Sequence, residues 1–282
     1  MNIGIIGAGT VGVSVGRYLK ENNIQIAGFY DIDCDNAAFA AQFTQTDCFS
    51  DLEELVKLSD TLFITTPDAV IGSVWDCIKN NMSVQNKIVC HFSGALSSDV
   101  FTDSQSTGAG VCSVHPMLAF SDKLTSYRIP ANTFFALEGD ETAVSALKSL
   151  FENLGNTVCC IDKSEKSLYH TAASVLSNEL VAVLDLGYSL LEQCGFSRDE
   201  AVKATQNLVL GNVKSVLENG CVNALTGPVE RNDLQTVKKH VESLKGEDRQ
   251  IYILLAKRLV NLAKAKNEDR DYGELSEFLD LS

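Results

Sequence analysis

Residues 2–12 read NIGIIGAGTVG: Asn2–Ile6 is a short apolar run, Gly7, Gly9 and Gly12 follow, and a helical pattern runs from Val11 to Asn22. Strand, glycine-rich turn and helix in that order form the context in which G-x-G-x-x-G spacing carries meaning. Gly7 permits a tight turn, Gly9 lets a ligand approach the backbone, and Gly12 lets helix and strand pack closely. The helix start, with Ala8, Thr10 and Val11, then offers unpaired N–H groups and a positive dipole end to an anion such as a pyrophosphate. A glycine-rich turn that binds nothing is the alternative.

Outward from this unit the alternation continues. Strands are expected at Gln25–Tyr30, Thr61–Thr65, Lys87–His91 and Gly110–His115, and helices at Asn36–Gln42, Asp51–Leu58 (capped by Ser50) and Ala69–Asn80. A strand at Thr133–Leu137, a helix at Asp140–Leu154 and a strand at Thr157–Ile161 complete the series. Continuously apolar strands alternating with helices predict an α/β domain over residues 1–161, its mostly parallel sheet covered on both faces. Beyond Lys163 the strand signals stop. Helices at Glu165–Cys194, Arg198–Asn219, Asp233–Lys245 and Asp248–Lys266 predict an all-α domain over residues 162–282, with Gly195 and Gly220 as stops and Ser197 and Asn232 as caps.

Composition narrows the partners. The 282 residues, 45% hydrophobic, carry a net charge of −14, and residues 1–160 hold 8 basic against 18 acidic side chains. Such an excess opposes nucleic acids and anionic membranes. The nine cysteines are odd in number, show no CxxC spacing and fall mostly in apolar runs such as KIVCHF and TVCCI. They are expected to be buried and reduced, with no disulfide framework and no metal site. The chain opens without a basic segment of the secretory kind, and its longest apolar stretch, Leu180–Leu191, contains Asp185 and is expected to be too short and too charged for a bilayer. These features point to a cytoplasmic protein.

Asp31 closes the second strand 19 residues beyond Gly12, where a carboxylate accepts hydrogen bonds from the adenosine ribose and repels a 2′-phosphate. No Arg or Lys lies in Ile32–Ala38, so NAD is favoured over NADP; Asp31 or Asp33 as a plain helix cap is the other reading. Thr65, Thr66 and Pro67 follow the fourth strand at the carboxyl edge of the sheet and are candidates for cofactor contact, while Asp68 either joins them or caps a helix. The next two strand ends give Ser93 and Gly94, a hydroxyl and an open backbone N–H for substrate, and His115, an imidazole that could polarise a carbonyl. A hydrogen-bonded structural role is the alternative for His115 and the favoured reading for His91.

In the helical half, Lys166, His170, Ser174 and Asn178 recur every four residues. Each such step advances only about 40° around a helix, so His170, Ser174 and Asn178 share one face, with Ser177 close by. This stripe suits a carbonyl or carboxylate held against a nicotinamide, with His170 as proton donor and Asn178 as orienting partner; a solvated face is the alternative. In LTGPVERND, Thr226 and Arg231 suit a substrate carboxylate, unless Arg231 merely pairs with Asp233.

Together GAGTVG, ITTPD, HFSGAL, SVHPM, YHTAASVLSN and ALTGPVERND resemble the Rossmann-like predicted oxidoreductases with a C-terminal domain of unknown function. That family is similar to the superfamily of 6-phosphogluconate dehydrogenase-like, pyrroline-carboxylate and ketopantoate reductases. The resemblance implies an NAD(P)-dependent reductase of a small 2-oxo acid, 2-dehydropantoate first, working as a homodimer through its helical domain. It leaves open a cyclic-imine reductase and a dinucleotide-binding sensor without turnover. One departure stands out: the usual reductases place a catalytic Lys four residues before the Asn, where this chain has Ser174, and His170 is the nearest replacement.

Overall fold

The structure, a computed structural model, describes residues 1–128 and 133–282. It divides into two compact units, Met1–Ser177 and Asn178–Ser282.

The first unit alternates strands and helices: β1 (Ile3–Ile6), α1 (Thr10–Glu21), β2 (Ile26–Tyr30), α2 (Cys34–Thr44), β3 (Asp47–Cys48), α3 (Leu52–Leu58), β4 (Thr61–Ile64), α4 (Asp68–Asn81), β5 (Ile88–His91), α5 (Ser104–Thr107), β6 (Gly110–Pro116), β7 (Phe134–Gly139), α6 (Glu141–Asn153), β8 (Thr157–Cys160) and the start of α7 (Lys166–Gln193). One eight-stranded sheet runs β3-β2-β1-β4-β5-β6-β7-β8. All its pairings are parallel except β6–β7. Chain order reverses between β1 and β4, which opens the crevice where such sheets bind ligands. Alternate side chains feed two cores. Ile3, Ile5, Phe29 and Phe63 pack on one face, and Ile6, Leu62, Ile64 and Trp75 on the other.

The expected strands and helices recur within a few residues, and the all-α character of the second half holds: α7 is followed by α8 (Arg198–Ala224), α9 (Leu234–Ser243), α10 (Gly246–Lys266) and α11 (Gly273–Leu281). The second unit closes a small core from Val229, Val237, Ile253, Val260, Tyr272 and Leu275. The compact units part at Ser177, not at residue 161 where strands give way to helices, because the first turns of α7 pack into the sheet unit.

Several local expectations are corrected. Asp51, not Ser50, caps α3, and Asp233, not Asn232, caps α9, each through a side-chain oxygen that accepts a backbone N–H. Gly220 stops the regular helix as expected: at φ 76° and ψ 162° its backbone is non-helical, and a short helical stretch follows beyond the kink to Ala224. Ser197 caps as expected, in a reciprocal pair with Glu200. Only Cys90 and Cys112 are buried, and Cys159 and Cys160 are exposed because β8 is an edge strand. The helical run Lys163–Gln193 is, by length and composition, long and apolar enough to cross a membrane. The stretch Leu180–Leu191 alone hides this, since the apolar pattern begins well before Leu180.

Candidate functional site

The three glycines behave as their spacing requires. Gly7 holds a φ of 104°, open to glycine and strained for other residues. A side chain at Gly12 would run into the Gly7 carbonyl and the Thr65 hydroxyl, while one at Gly9 would meet nothing within 4 Å. The space in front of Gly9 is therefore left open, and α1, which starts there, has no side-chain cap on its N–H groups. Thr65 Oγ1 donates to the Gly7 carbonyl at 2.7 Å and fixes the turn.

In front of this turn lies a cavity of about 450 Å³, lined by Gly7, Gly9, Asp31, Asn36, Thr66 and Val70 among others. Asp31 is on that lining, its carboxylate accepting from Ala8 N at 2.6 Å and Asp33 N at 2.9 Å. Asp33, not Asp31, caps α2. Thr66 Oγ1 is buried and has no hydrogen-bond partner among the described residues. Pro67 sits at the cap position of α4, and Asp68 accepts from Ser93 Oγ at 2.7 Å instead of capping the helix. Open space at Gly9, uncapped N–H groups and an orphaned hydroxyl are what a dinucleotide would fill.

A second cluster forms in the same unit where β5, β6 and the start of α7 meet. Gly94 is buried, and a Cβ there would lie 2.6 Å from His170 Nδ1 and 2.7 Å from His115 Nε2. The two imidazoles, 6.1 Å apart by ring centre and nearly perpendicular, thus face each other across Gly94. His170 Nδ1 is buried and has no hydrogen-bond partner among the described residues. His115 Nδ1 lies 2.8 Å from the Tyr169 hydroxyl. Burial, with the Lys166 ammonium and His170 alongside, lowers His115 to about 4, so this imidazole is neutral at neutral pH. Burial also pushes the Tyr169 phenol up to about 12.

Beneath the imidazoles, Lys166 is 2% exposed and donates to Ser113 Oγ at 2.6 Å. Desolvation brings its ammonium down to about 8, against the pull of Glu138 and Asp68. Glu138 is itself buried and accepts from both the N–H and the hydroxyl of Ser98 at 2.8 Å. Ser93 is turned inward: its hydroxyl donates to Asp68 and accepts from Ala95 N and Leu96 N, so it is committed to the turn. His91 is structural, fully buried between Ser97 O and Ser93 N.

Ser174 is half-buried two turns beyond Lys166 on α7 and belongs, like His170, to the first unit. Asn178 opens the second unit, where Thr226 and Arg231 lie exposed on the segment joining α8 to α9. Tyr169 and the burial of Lys166 went unforeseen. Lys166 was visible as the first member of the four-residue series, but its burial depends on β6 and β7 packing against it.

Residues 1–90 match the oxidoreductase family with an NAD-binding Rossmann fold, and residues 133–259 match the domain of unknown function DUF2520. No curated protein matches by sequence. Among solved structures, protein TM1727 of Thermotoga maritima is 24% identical with a TM-score of 0.77, covering 94% of this chain and 99% of that one. A pyrroline-5-carboxylate reductase of Coxiella burnetii is 17% identical with a TM-score of 0.61, covering 94% and 98%. An imine reductase of a Pseudomonas species is 15% identical with a TM-score of 0.62, covering 99% and 92%. The chain thus carries, in order, a segment that matches the NAD-binding Rossmann oxidoreductases and a segment that matches DUF2520.

Proposed function

We propose that this protein reduces the carbonyl of a small 2-oxo acid with NAD(P)H, 2-dehydropantoate being the specific candidate. The observation that carries the reading is the pair of imidazoles meeting over Gly94 at the carboxyl ends of β5 and β6. The nicotinamide, when bound, supplies the hydride. His170 gives the proton to the developing alkoxide, since its Nδ1 is buried and unclaimed by any group among the described residues. His115, neutral and fixed through Nδ1 by Tyr169, turns Nε2 toward the same space and donates a hydrogen bond there. Asp31, the turn at Gly7–Gly12 and Thr66 hold the cofactor, with NAD favoured by the Asp31 carboxylate.

A cyclic imine is the second reading, favoured by the likeness to a pyrroline-5-carboxylate reductase and by Ser174 at the position of the usual Lys. A C=N bond is the more basic acceptor and needs less help from an acid. Oxidation of NADH and NADPH against a panel of 2-oxo acids and cyclic imines separates the two. Cofactor binding without turnover on any of them would instead indicate a sensor. His170→Ala should abolish turnover and spare cofactor affinity; full activity in that variant sinks the assignment.

We also propose a cytoplasmic homodimer. Leu176 on α7 and Leu217 on α8 are 75% and 82% exposed, and Val181 and Leu208 are exposed by about two thirds. Such apolar surface on long helices requires cover. A second copy suits it better than a bilayer, because α7 also carries Glu179 and Asp185, the latter paired with Arg198.

A further inference from the structure

Asn36, on the lining of the cofactor cavity, is held by a cation that the sequence around Asp31 lacks. After β6 the chain folds back over α1 and α2. Asp122 Oδ1 shapes the turn by accepting from Leu124 N and Thr125 N at 2.8 and 2.9 Å. Tyr127 seats it, meeting Phe43 edge-on at 5.7 Å with the Arg17 guanidinium 5.7 Å over its ring. This docking brings Lys123, 87 residues away in sequence, onto Asn36: its Nζ donates to Asn36 Oδ1 at 3.2 Å. Asn36 lines the cavity beside Asp31 and Ile32, and its amide donates to Asp33 Oδ2 at 3.0 Å. Among the described residues Lys123 makes no ion pair within 4 Å, so its charge is not spent on a neighbouring acid.

Asp31 is the candidate partner of the ribose, and Asn36 lines the same cavity with the Lys123 ammonium on its side-chain oxygen. A flexible ammonium on a long stem, with N–H groups to spare, is suited to such a group. We propose that Lys123, with Asn36, forms a subsite for the 2′-phosphate of NADP(H). It gives the chain use of NADP(H) although Asp31 opposes that phosphate. The inference rests on the cofactor reading above but not on any substrate. The competing account is that Lys123 only offsets the acids Asp31, Asp33 and Asp35.

The test is direct binding of NADPH and NADH to the whole chain, followed by nicotinamide fluorescence, with 2′-phospho-AMP and AMP as competitors. Lys123→Met should weaken NADPH by about tenfold or more, the usual size of a lost charge-assisted hydrogen bond, and NADH by less than about twofold. Lys123→Arg should retain most of the NADPH affinity, and 2′-phospho-AMP should lose its advantage over AMP only in the Met variant. Equal weakening of both cofactors, or no change in NADPH, overturns the subsite and leaves the cofactor site standing. Failure of the unaltered chain to bind either cofactor overturns the cofactor reading and the subsite with it. Asn36→Ala serves as a second variant: loss of NADPH preference supports the subsite, and unchanged preference counts against Asn36.

Discussion

Gly94→Ala puts one methyl group between the two imidazoles. Its carbon would lie 2.6 Å from His170 Nδ1 and 2.7 Å from His115 Nε2. Comfortable contact needs roughly 3.5 Å, so each ring must retreat by roughly 0.8–0.9 Å, or the loop must move. Neither ring is a free end. His115 is tied to Tyr169 and followed by Pro116, and His170 sits on α7 one turn beyond the buried Lys166. Overpacking of this kind costs about 1–3 kcal/mol. Gly94 is not among the left-handed glycines, so alanine adds no backbone strain and recovers only a few tenths of a kcal/mol through the unfolded chain. The chain should stay folded, with urea unfolding shifted down by about 1–2 kcal/mol. Misplacing reacting groups by about 1 Å can cost on the order of 10²-fold in rate. The expected result is a fall of at least about tenfold in kcat/KM for NAD(P)H oxidation, with cofactor Kd unchanged because Gly94 does not line the cofactor cavity. Wild-type kcat/KM in a folded Gly94→Ala variant would refute the idea that the two imidazoles work together over Gly94.

Three further outcomes are expected. His115 and His91, both lowered to about 4 by burial, take up protons in the unfolded chain before the folded one, so stability is lost as pH falls from about 6.5 toward 4; an imidazole proton signal of His115 that titrates near 6.5 would contradict this. Lys166 is likewise lowered, from 10.5 to about 8, so between pH 8 and 10 the unfolded chain binds the extra proton and stability rises with pH, by about 2 kcal/mol relative to Lys166→Met; parallel stability curves for the two proteins would show that the ammonium is not held in a dry site. For the dimer, Leu176→Asp with Leu217→Asp should halve the mass seen by light scattering, and a monomeric unaltered chain would remove that proposal.

The fold was legible because its signals are local. Asn2–Gly12 announces strand, turn and helix within eleven residues, and each later apolar run repeats the pattern. The elements that escaped are those with weak local signals: β3 has only two residues, and α11 has no side-chain cap at its start. Edge position is also invisible locally, which is why TVCCI reads as core while Cys159 and Cys160 face solvent on β8. The site was half legible. The turn at Gly7, Gly9 and Gly12 and the place of Asp31 at the end of β2 are readable from spacing, whereas the use of the Thr65 hydroxyl to brace that turn, and the meeting of His115 and His170 over Gly94, need separate strands and α7 to converge. Ser93 shows the reverse error, a hydroxyl that reads as open at a strand end and is consumed by its own turn.

Net charge and site charge separate for the same reason. With 8 basic and 18 acidic residues in its first 160, the chain cannot attract an anionic cofactor by its overall field. Local groups must do it. The uncapped N–H groups of α1 supply partial positive charge at Gly9 without any side chain. Lys166 supplies a full charge under the imidazoles and, after the burial of the ring itself, adds to what keeps His115 neutral. Lys123 arrives from a loop distant in sequence to stand beside Asn36. Each positive group is placed where one negative or proton-bearing atom has to be controlled, and the acidic remainder discourages anions everywhere else. A chain built this way should bind its cofactor with weak dependence on ionic strength compared with a site that relies on a broad basic surface.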